Sequence, residues 1–319
     1  MSSSTHSLKP LKPIASARPE GAELRGPVDV GAARAWGRRV LELAGVPSFA
    51  LDADLLVAQA LGVPSERLFL HRDSGLNERQ VDDFVANLHR RALREPLAYI
   101  VGHKEFFGLD LAVDGRALVP RPSTEVVVEV VLEFLGVRAG FGVPLRPDPG
   151  PAPLIVDIGA GSGAIALALA IYLPSARVLT SDISYGAATL AAENSRRLGL
   201  EGRVHVLVAD GQPRTCTAPD LLVANLPYIR SAELLKLAPE VRDHEPRLAL
   251  DGGVDGFGHY REFIAAAVVN RGGALVCEIG HDQRQALIEA VARRAPHLSV
   301  AFRKDLEGFD RVAVVTGWH

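Results

Sequence analysis

Cysteine is nearly absent from this 319-residue chain, with Cys216 and Cys277 the only two. They are too few for a disulfide framework or a cysteine-built zinc site, so a reducing compartment is expected and a metal centre is not. Long apolar runs are missing as well. Segments such as Leu154 to Ile158 and Ile165 to Ala170 fall far short of the roughly 20 residues that a bilayer demands. No apolar core follows the N-terminus as in a secretory signal, which makes a soluble, cytoplasmic protein without a membrane partner the expectation. Nor is there an excess of positive charge. Lys plus Arg number 35 against 38 Asp plus Glu, for a net charge of −3 and a pI near 6.4, which points to a small or protein substrate and gives nucleic acid no global support. What the chain does have is 48% hydrophobic and 23% charged residues over about two domains' worth of length, enough to bury a core.

Residues 1–27 hold Ser, Pro, Ala and a few basic residues with almost no large apolar side chains, so they cannot repay the entropy of ordering and read as a disordered tail. No acid occurs before Glu20, which keeps an organellar transit peptide open as the functional alternative. From Asp29 to about Glu95 apolar residues recur at helical spacing. Trp36, Val40 and Leu43 share a face, Gly45 stops that helix, and Leu51, Leu55 and Leu61 continue in a second. Asn77 with Gln80 three residues on forms a capping signature before Val81, Phe84, Val85 and Leu88, and Glu95-Pro96 ends the run. Residues 28–96 therefore read as a small helical bundle without a catalytic constellation, and the pairs Arg38-Arg39 and Arg90-Arg91 as solvated faces, with contact to the partner or to ribosomal RNA as the functional alternative.

Between 97 and 123, Gly102, Gly108 and Gly115 break short apolar segments into a hairpin-like connector rather than a helix. Thr124 is expected to cap a helix through Leu135, and residues 137–153, with eight Gly or Pro, to form a loop. Strands then alternate with helices: Leu154 to Ile158, Val178 to Ser181, Val204 to Val208, Leu221 to Ala224, Ala274 to Glu278, Leu298 to Phe302 and Arg311 to Val315. The pattern predicts an α/β domain over 124–319, a doubly wound sheet with helices on both faces and an antiparallel strand near its end.

The first strand runs into Asp157-Ile158-Gly159-Ala160-Gly161-Ser162-Gly163 and an alanine-rich helix, where glycine lets backbone pass close to a ligand. A tight turn alone would also explain it. The G-x-G-x-G spacing departs from the G-x-G-x-x-G of dinucleotide sites, and Asp157 would repel a pyrophosphate while suiting a cation, which favours S-adenosylmethionine over NAD. The second strand ends at Asp182, whose carboxylate suits ribose hydroxyls; a helix N-cap at Asp182 or Ser184 is the plain alternative. The third ends at Asp210-Gly211, suited to an adenine amino group. The fourth delivers Asn225-Leu226-Pro227-Tyr228 to the same rim. An amide nitrogen is a poor nucleophile because its lone pair is delocalised, so methylating it depends on orientation. The Asn225 side-chain carbonyl and the backbone carbonyl of Leu226 can each accept one N–H of an NH2 group, Pro227 stiffens the loop, and the Tyr228 ring can lie against the planar target.

Several stretches together resemble the PrmC/HemK family: Glu95-Pro96-Leu97-Ala98-Tyr99-Ile100, Gly102-His103-Lys104-Glu105-Phe106-Phe107-Gly108, Val119-Pro120-Arg121-Pro122-Ser123-Thr124-Glu125, the glycine turn, Asn225 to Tyr228, Glu245-Pro246-Arg247-Leu248-Ala249-Leu250, and Arg303-Lys304-Asp305-Leu306 with Asp310-Arg311. The resemblance runs from about residue 28 to 316. It implies a Rossmann-like class I S-adenosylmethionine-dependent methyltransferase, with a seven-stranded mostly parallel sheet, that modifies the glutamine N5 in the Gly-Gly-Gln motif of peptide chain release factors. It further implies that Gly159, Ala160, Gly161, Ser162 and Gly163, with Asp182, Gly211 and Asn225, line the cofactor. Asn225, Leu226, Pro227 and Tyr228 would hold the glutamine, and the helical domain would help to hold the factor.

Two residues depart from the family pattern. Leu226 stands where proline is usual, and Gly211 lacks a side chain that could pack on adenine. Asn-Leu-Pro-Tyr is also similar to the motif of adenine-modifying enzymes, so a nucleic-acid adenine-N6 methyltransferase and an inactive release-factor docking protein remain as alternatives. Asp251, Asp255, Gly256 and Glu262 fit a calcium-loop template only partly, with Gly253 and His259 at other ligand positions. His281-Asp282 has no nucleophile linked to it and reads as turn polarity. A monomer without a bound metal is expected.

Overall fold

The computed structural model describes residues 28–137, 152–214 and 217–319. The tail 1–27, most of the Gly/Pro-rich loop and Cys216 lie outside them. The described residues divide into two units, one ending at Ala92 and the other beginning at Leu93.

The first unit contains β1 (Val28–Asp29), α1 (Val30–Leu43), α2 (Phe49–Leu61), a 3-10 turn at Ser65–His71, β2 (Gly75–Leu76) and α3 (Glu78–Ala92). Asn77 and Gln80 form the expected reciprocal cap, each backbone N–H donating to the other's side-chain oxygen at 2.9 Å. Leu41, Leu56, Phe84 and Leu88 make the core. A Cβ on Gly37 would come 2.9 Å from Phe84 Cζ, so glycine sets how closely α1 and α3 approach. Two details differ from the sequence expectation. The two-residue strands β1 and β2 pair antiparallel, too short to leave a periodic signal. Arg91 is not on a solvated face: it is 4% exposed and donates to the buried Asp52 at 2.7 Å, because the helix face it shares with Leu88 packs inward.

The second unit opens with α4 (Leu97–Val101), a short helix where a hairpin alone was expected. Pro96 flanks its start, where a missing N–H costs nothing, and Gly102 ends it at φ +82°. The hairpin follows as β3 (His103–Phe106) and β4 (Leu109–Ala112), joined by Phe107 and Gly108, both at positive φ. Helix α5 (Pro122–Phe134) begins two residues before Thr124, with Arg121 at its cap position. Thr124 is therefore not the cap; it is buried and its hydroxyl donates to Glu278.

The catalytic-type fold then unrolls as β5 (Leu154–Ile158), α6 (Ala164–Tyr172), β6 (Arg177–Asp182), α7 (Tyr185–Arg197), β7 (Val204–Val208), β8 (Leu221–Ala224), α8 (Pro239–His244), α9 (Gly258–Ala266), β9 (Ala274–Glu278), α10 (Arg284–Arg294), β10 (Ser299–Lys304) and β11 (Asp310–Thr316). These strands form a seven-stranded sheet in the order β10-β11-β9-β8-β5-β6-β7. All neighbours from β9 to β7 are parallel, and β11 runs antiparallel between β9 and β10, as the short final connection predicts. Alternate residues face opposite layers: Ile155, Val223 and Val276 join α5 and α6, whereas Val156, Leu222 and Leu275 join α9 and α10. With both faces covered, these strands are buried along nearly their whole length, hence their continuous apolar text. From β5 the chain turns one way to β6 and β7, and β8 and β9 lie on the other side. At such a reversal the connecting loops diverge and leave a crevice beyond the carboxyl ends of the strands.

Candidate active site

A cleft of about 1240 Å³ occupies that crevice, roomier than the few hundred cubic ångströms that hold one small ligand. Its floor begins with the glycine turn. Gly159, Gly161 and Gly163 all have positive φ, and the N–H groups of Gly159 and Ala160 donate to Ser181 O at 2.8 and 2.9 Å, folding the turn onto β6. Gly159, Ala160, Gly161 and Ser162 line the cleft. Gly163 does not; a Cβ there would press on Leu167 at 2.9 Å, so this glycine serves helix packing.

Asp182 lies at the rim, where Oδ2 accepts Gly161 N–H at 2.9 Å and Oδ1 accepts Ser184 N–H at 2.8 Å. Each oxygen keeps a further lone pair. The helix cap of α7 is Ser184, which accepts from Ala187 N–H. Asp210 and Gly211 also line the cleft. Gly211 has φ +71° with open space where a Cβ would sit, so the backbone conformation accounts for this glycine without any packing role.

Asp157 behaves differently. It is 1% exposed, faces away from the cleft, and takes a hydrogen bond from Thr180 at 2.8 Å through Oδ2, while no partner reaches Oδ1 among the described residues. Burial pushes its carboxyl up to about 7 against the opposing Thr180 bond. It therefore sits behind the turn and is not among the residues that line the cleft.

The strand-end tetrapeptide closes the opposite side, and Asn225, Leu226, Pro227 and Tyr228 all line the cleft. A Cβ on Gly159 would stand 3.3 Å from Asn225 O, so the first and fourth strand ends touch. Asn225 Nδ2 donates to Thr124 Oγ1 at 3.1 Å and to Glu278 Oε2 at 2.9 Å. Thr124 Oγ1 donates to the same Glu278 oxygen at 2.7 Å, and the Tyr228 hydroxyl donates to Glu278 Oε1 at 3.2 Å. Burial raises the Glu278 carboxyl from its ordinary range, opposed by the Thr124 bond and the field of Arg311. Burial and the Glu278 charge likewise hold the Tyr228 phenol well above its usual value.

Leu226 N–H donates to the Tyr260 hydroxyl at 2.9 Å, and that hydroxyl in turn donates to Glu278 O. Proline at 226 could not make the first bond, so leucine supplies through Tyr260 a tether that a ring would otherwise supply. Leu226 O lies 3.2 Å from the same hydroxyl and retains a lone pair. Gln283 donates to Tyr228 O at 3.0 Å, completing the support behind the loop. Thr124 as a side-chain partner, Tyr260, Gln283 and Glu278 had no assigned role from sequence; the available signal was a single acid ending the otherwise apolar β9 at the same rim.

The remaining sequence features are occupied elsewhere. Asp251 accepts from Ser231 and Arg247, and Asp255 from Arg261. Asp282 pairs with Arg230, and His281 meets the Phe309 ring edge-on. Among the described residues no three His, Cys, Asp or Glu side chains form a metal-binding group, and no helix is long and apolar enough to cross a membrane.

Comparison with known proteins gives a consistent pattern. Residues 32–102 match the family described as the PrmC N-terminal domain, and residues 148–241 match the methyltransferase small domain. A release factor glutamine methyltransferase of Moorella thermoacetica is 42% identical over 283 residues, covering 87% of this chain and 95% of that protein. One from Caulobacter vibrioides is 37% identical, covering 88% and 94%. Among solved structures, the hMettl16 catalytic domain in complex with the MAT2A 3′UTR hairpin 6 is 15% identical, with TM-score 0.51, covering 75% of this chain and 82% of that one. That likeness concerns the fold alone.

Two outcomes follow from the site's geometry. Tyr260→Phe removes the partner of the part-buried Leu226 N–H and the buried donor to Glu278 O, which lowers unfolding stability by about 1–3 kcal/mol in urea titration, and an unchanged midpoint contradicts the tether. Asp157 has its folded pKa raised above the ordinary carboxylate value, so its contribution to stability is full in acid and falls as pH rises toward about 7. Asp157→Asn therefore flattens the fall in stability from about pH 4 to about pH 7; parallel pH profiles for the two proteins would refute that assignment.

Proposed function

The chain belongs to the release factor glutamine methyltransferase family, and on that premise we propose that it moves a methyl group from S-adenosylmethionine to the side-chain N5 of the glutamine in the Gly-Gly-Gln motif of a peptide chain release factor. The observation that carries this reading is the contact between two strand ends: the glycine turn after β5 and the Asn225–Tyr228 loop after β8 meet over one cleft.

The residues present fit the cofactor. The backbone of Gly159 to Ser162 forms a cradle without bulky side chains, the spare lone pairs of Asp182 suit a ribose diol, and Asp210-Gly211 flanks the space for an adenine. When bound there, S-adenosylmethionine supplies a methyl activated by its sulfonium charge. The chain's own contribution is orientation. Asn225 Oδ1 and Leu226 O accept the two N–H bonds of the glutamine amide, so its nitrogen is aimed instead of tumbling. Pro227 limits the loop, and the Tyr228 ring lies against the amide plane. Withdrawing both protons toward acceptors also draws electron density onto nitrogen as the bond forms. The amide proton departs to solvent afterwards, and no dedicated base is assigned.

In this reading residues 28–96 recognise the release factor, 97–123 connect, and 124–319 catalyse. The cytoplasm, where release factors act, is the implied compartment, and the working form is a monomer.

Methyl incorporation tests the assignment directly. Supplied with labelled S-adenosylmethionine, a release factor, an RNA and a DNA, the enzyme labels the release factor alone. Replacing the motif glutamine removes the label, and Asn225→Ala lowers the rate by roughly 100-fold or more while cofactor binding persists. Label on nucleic acid only, or cofactor binding with no transfer to any of the three, overturns the proposal.

A further inference from the structure

Asn225 is useful as an acceptor only if its amide points one way. The two ends of an amide are close in size, so the surroundings must decide which faces the cleft. Here they do. In its ionised form Glu278 accepts and does not donate, so the end of Asn225 beside it is the NH2 group, as the hydrogen bond at 2.9 Å has it. Thr124 has a single hydroxyl proton and gives it to Glu278 at 2.7 Å, so toward Asn225 it offers only a lone pair and again calls for an N–H. Both contacts therefore call for the NH2 end, and Oδ1 is left as the free end.

The opposite orientation would set the amide oxygen against a carboxylate oxygen and a hydroxyl lone pair. It would lose two hydrogen bonds and add repulsion between acceptors. We propose that Glu278, acting with Thr124, is a positioning residue that holds Asn225 as an obligate acceptor and so makes the site selective for a target carrying two hydrogens on one planar nitrogen. A hydroxyl target, with one hydrogen, satisfies only one of the acceptors at Asn225 and Leu226.

The placement supports this role. Glu278 is 1% exposed and ends β9, Thr124 sits in the first turn of α5, and Asn225 follows β8, so three regular elements converge on one amide. The Tyr228 hydroxyl supplies a further donor to the carboxylate from within the same tetrapeptide, coupling the ring's position to that of the amide. Glu278 lines the back of the same cleft, and the positioning role assigned to it is exerted through Asn225 and Tyr228.

This inference rests on the proposed methyl transfer, but its test has a readout that needs no substrate. The chain has only five asparagines, at 77, 87, 194, 225 and 270. Asparagine-selective 15N labelling therefore gives few side-chain NH2 pairs, and Asn225→Ala identifies the pair at 225. In the native protein that pair exchanges slowly with solvent. Thr124→Val and Glu278→Gln each accelerate its exchange about 10-fold or more, roughly the worth of one such bond, and lower kcat by a similar factor with S-adenosylmethionine affinity within about twofold. Thr124→Ser, which keeps the hydroxyl, restores slow exchange and most of kcat. Should Glu278→Gln fail to fold, the contrast between Thr124→Val and Thr124→Ser decides. Unchanged exchange in Thr124→Val, or equal damage from Thr124→Ser, overturns the positioning role. Failure of the native enzyme to methylate a release factor would overturn the proposed function while leaving the exchange result intact.

Discussion

A buried carboxylate surrounded by donors governs this site. Burying an isolated ionised acid costs many kcal/mol, so Glu278 is tenable only because Thr124, Tyr228 and Asn225 all direct hydrogens at it and Arg311 contributes favourable field. The dependence runs in both directions. The donors oppose the upward shift that burial imposes on the carboxyl, and the carboxyl oxygens fix where each donor points. A helix start, a strand end and a loop are thereby held in one arrangement before any ligand arrives, which is the condition for orientation to accelerate a reaction of a weak nucleophile.

The sheet makes that convergence possible. Because β5 and β8 are adjacent and parallel, the loops that follow them leave from the same edge. The glycine turn and the asparagine loop meet there, and the small residues at Gly159 and Ala160 let them approach. The next strand outward, β9, delivers Glu278 one layer behind the loop. Leu226 shows how a change in the motif is absorbed: its N–H reaches Tyr260, and Tyr260 reaches the backbone of Glu278. The tetrapeptide is thus anchored to the same strand end by backbone as well as by side chains.

Much of this was legible in the linear text, for identifiable reasons. The central strands β5, β8 and β9 carry nearly continuous apolar runs, so burial on both faces writes itself into composition. The glycine turn and the Asn225 motif are local, and local chemistry survives in sequence order. What escaped was relational. Asp157 sits inside the glycine motif, yet its side chain points behind the turn to Thr180, a direction that strand alternation fixes only once the sheet is assembled. Thr124 has the spelling of a helix cap, but Pro122 starts the helix earlier and turns the hydroxyl inward. Glu278 is far from Asn225 along the chain and belongs to no motif; only the parallel pairing of β8 with β9 brings them together. The five-residue helix α4 was hidden by its glycine-rich surroundings.

The central claim is the direction of one amide, and neutron diffraction from a perdeuterated crystal observes it outright. The account predicts that the deuterated nitrogen of Asn225 faces Thr124 Oγ1 and Glu278 Oε2, with Oδ1 bare toward the cleft. Deuterons facing the cleft instead, with the carbonyl turned to Glu278, would contradict it.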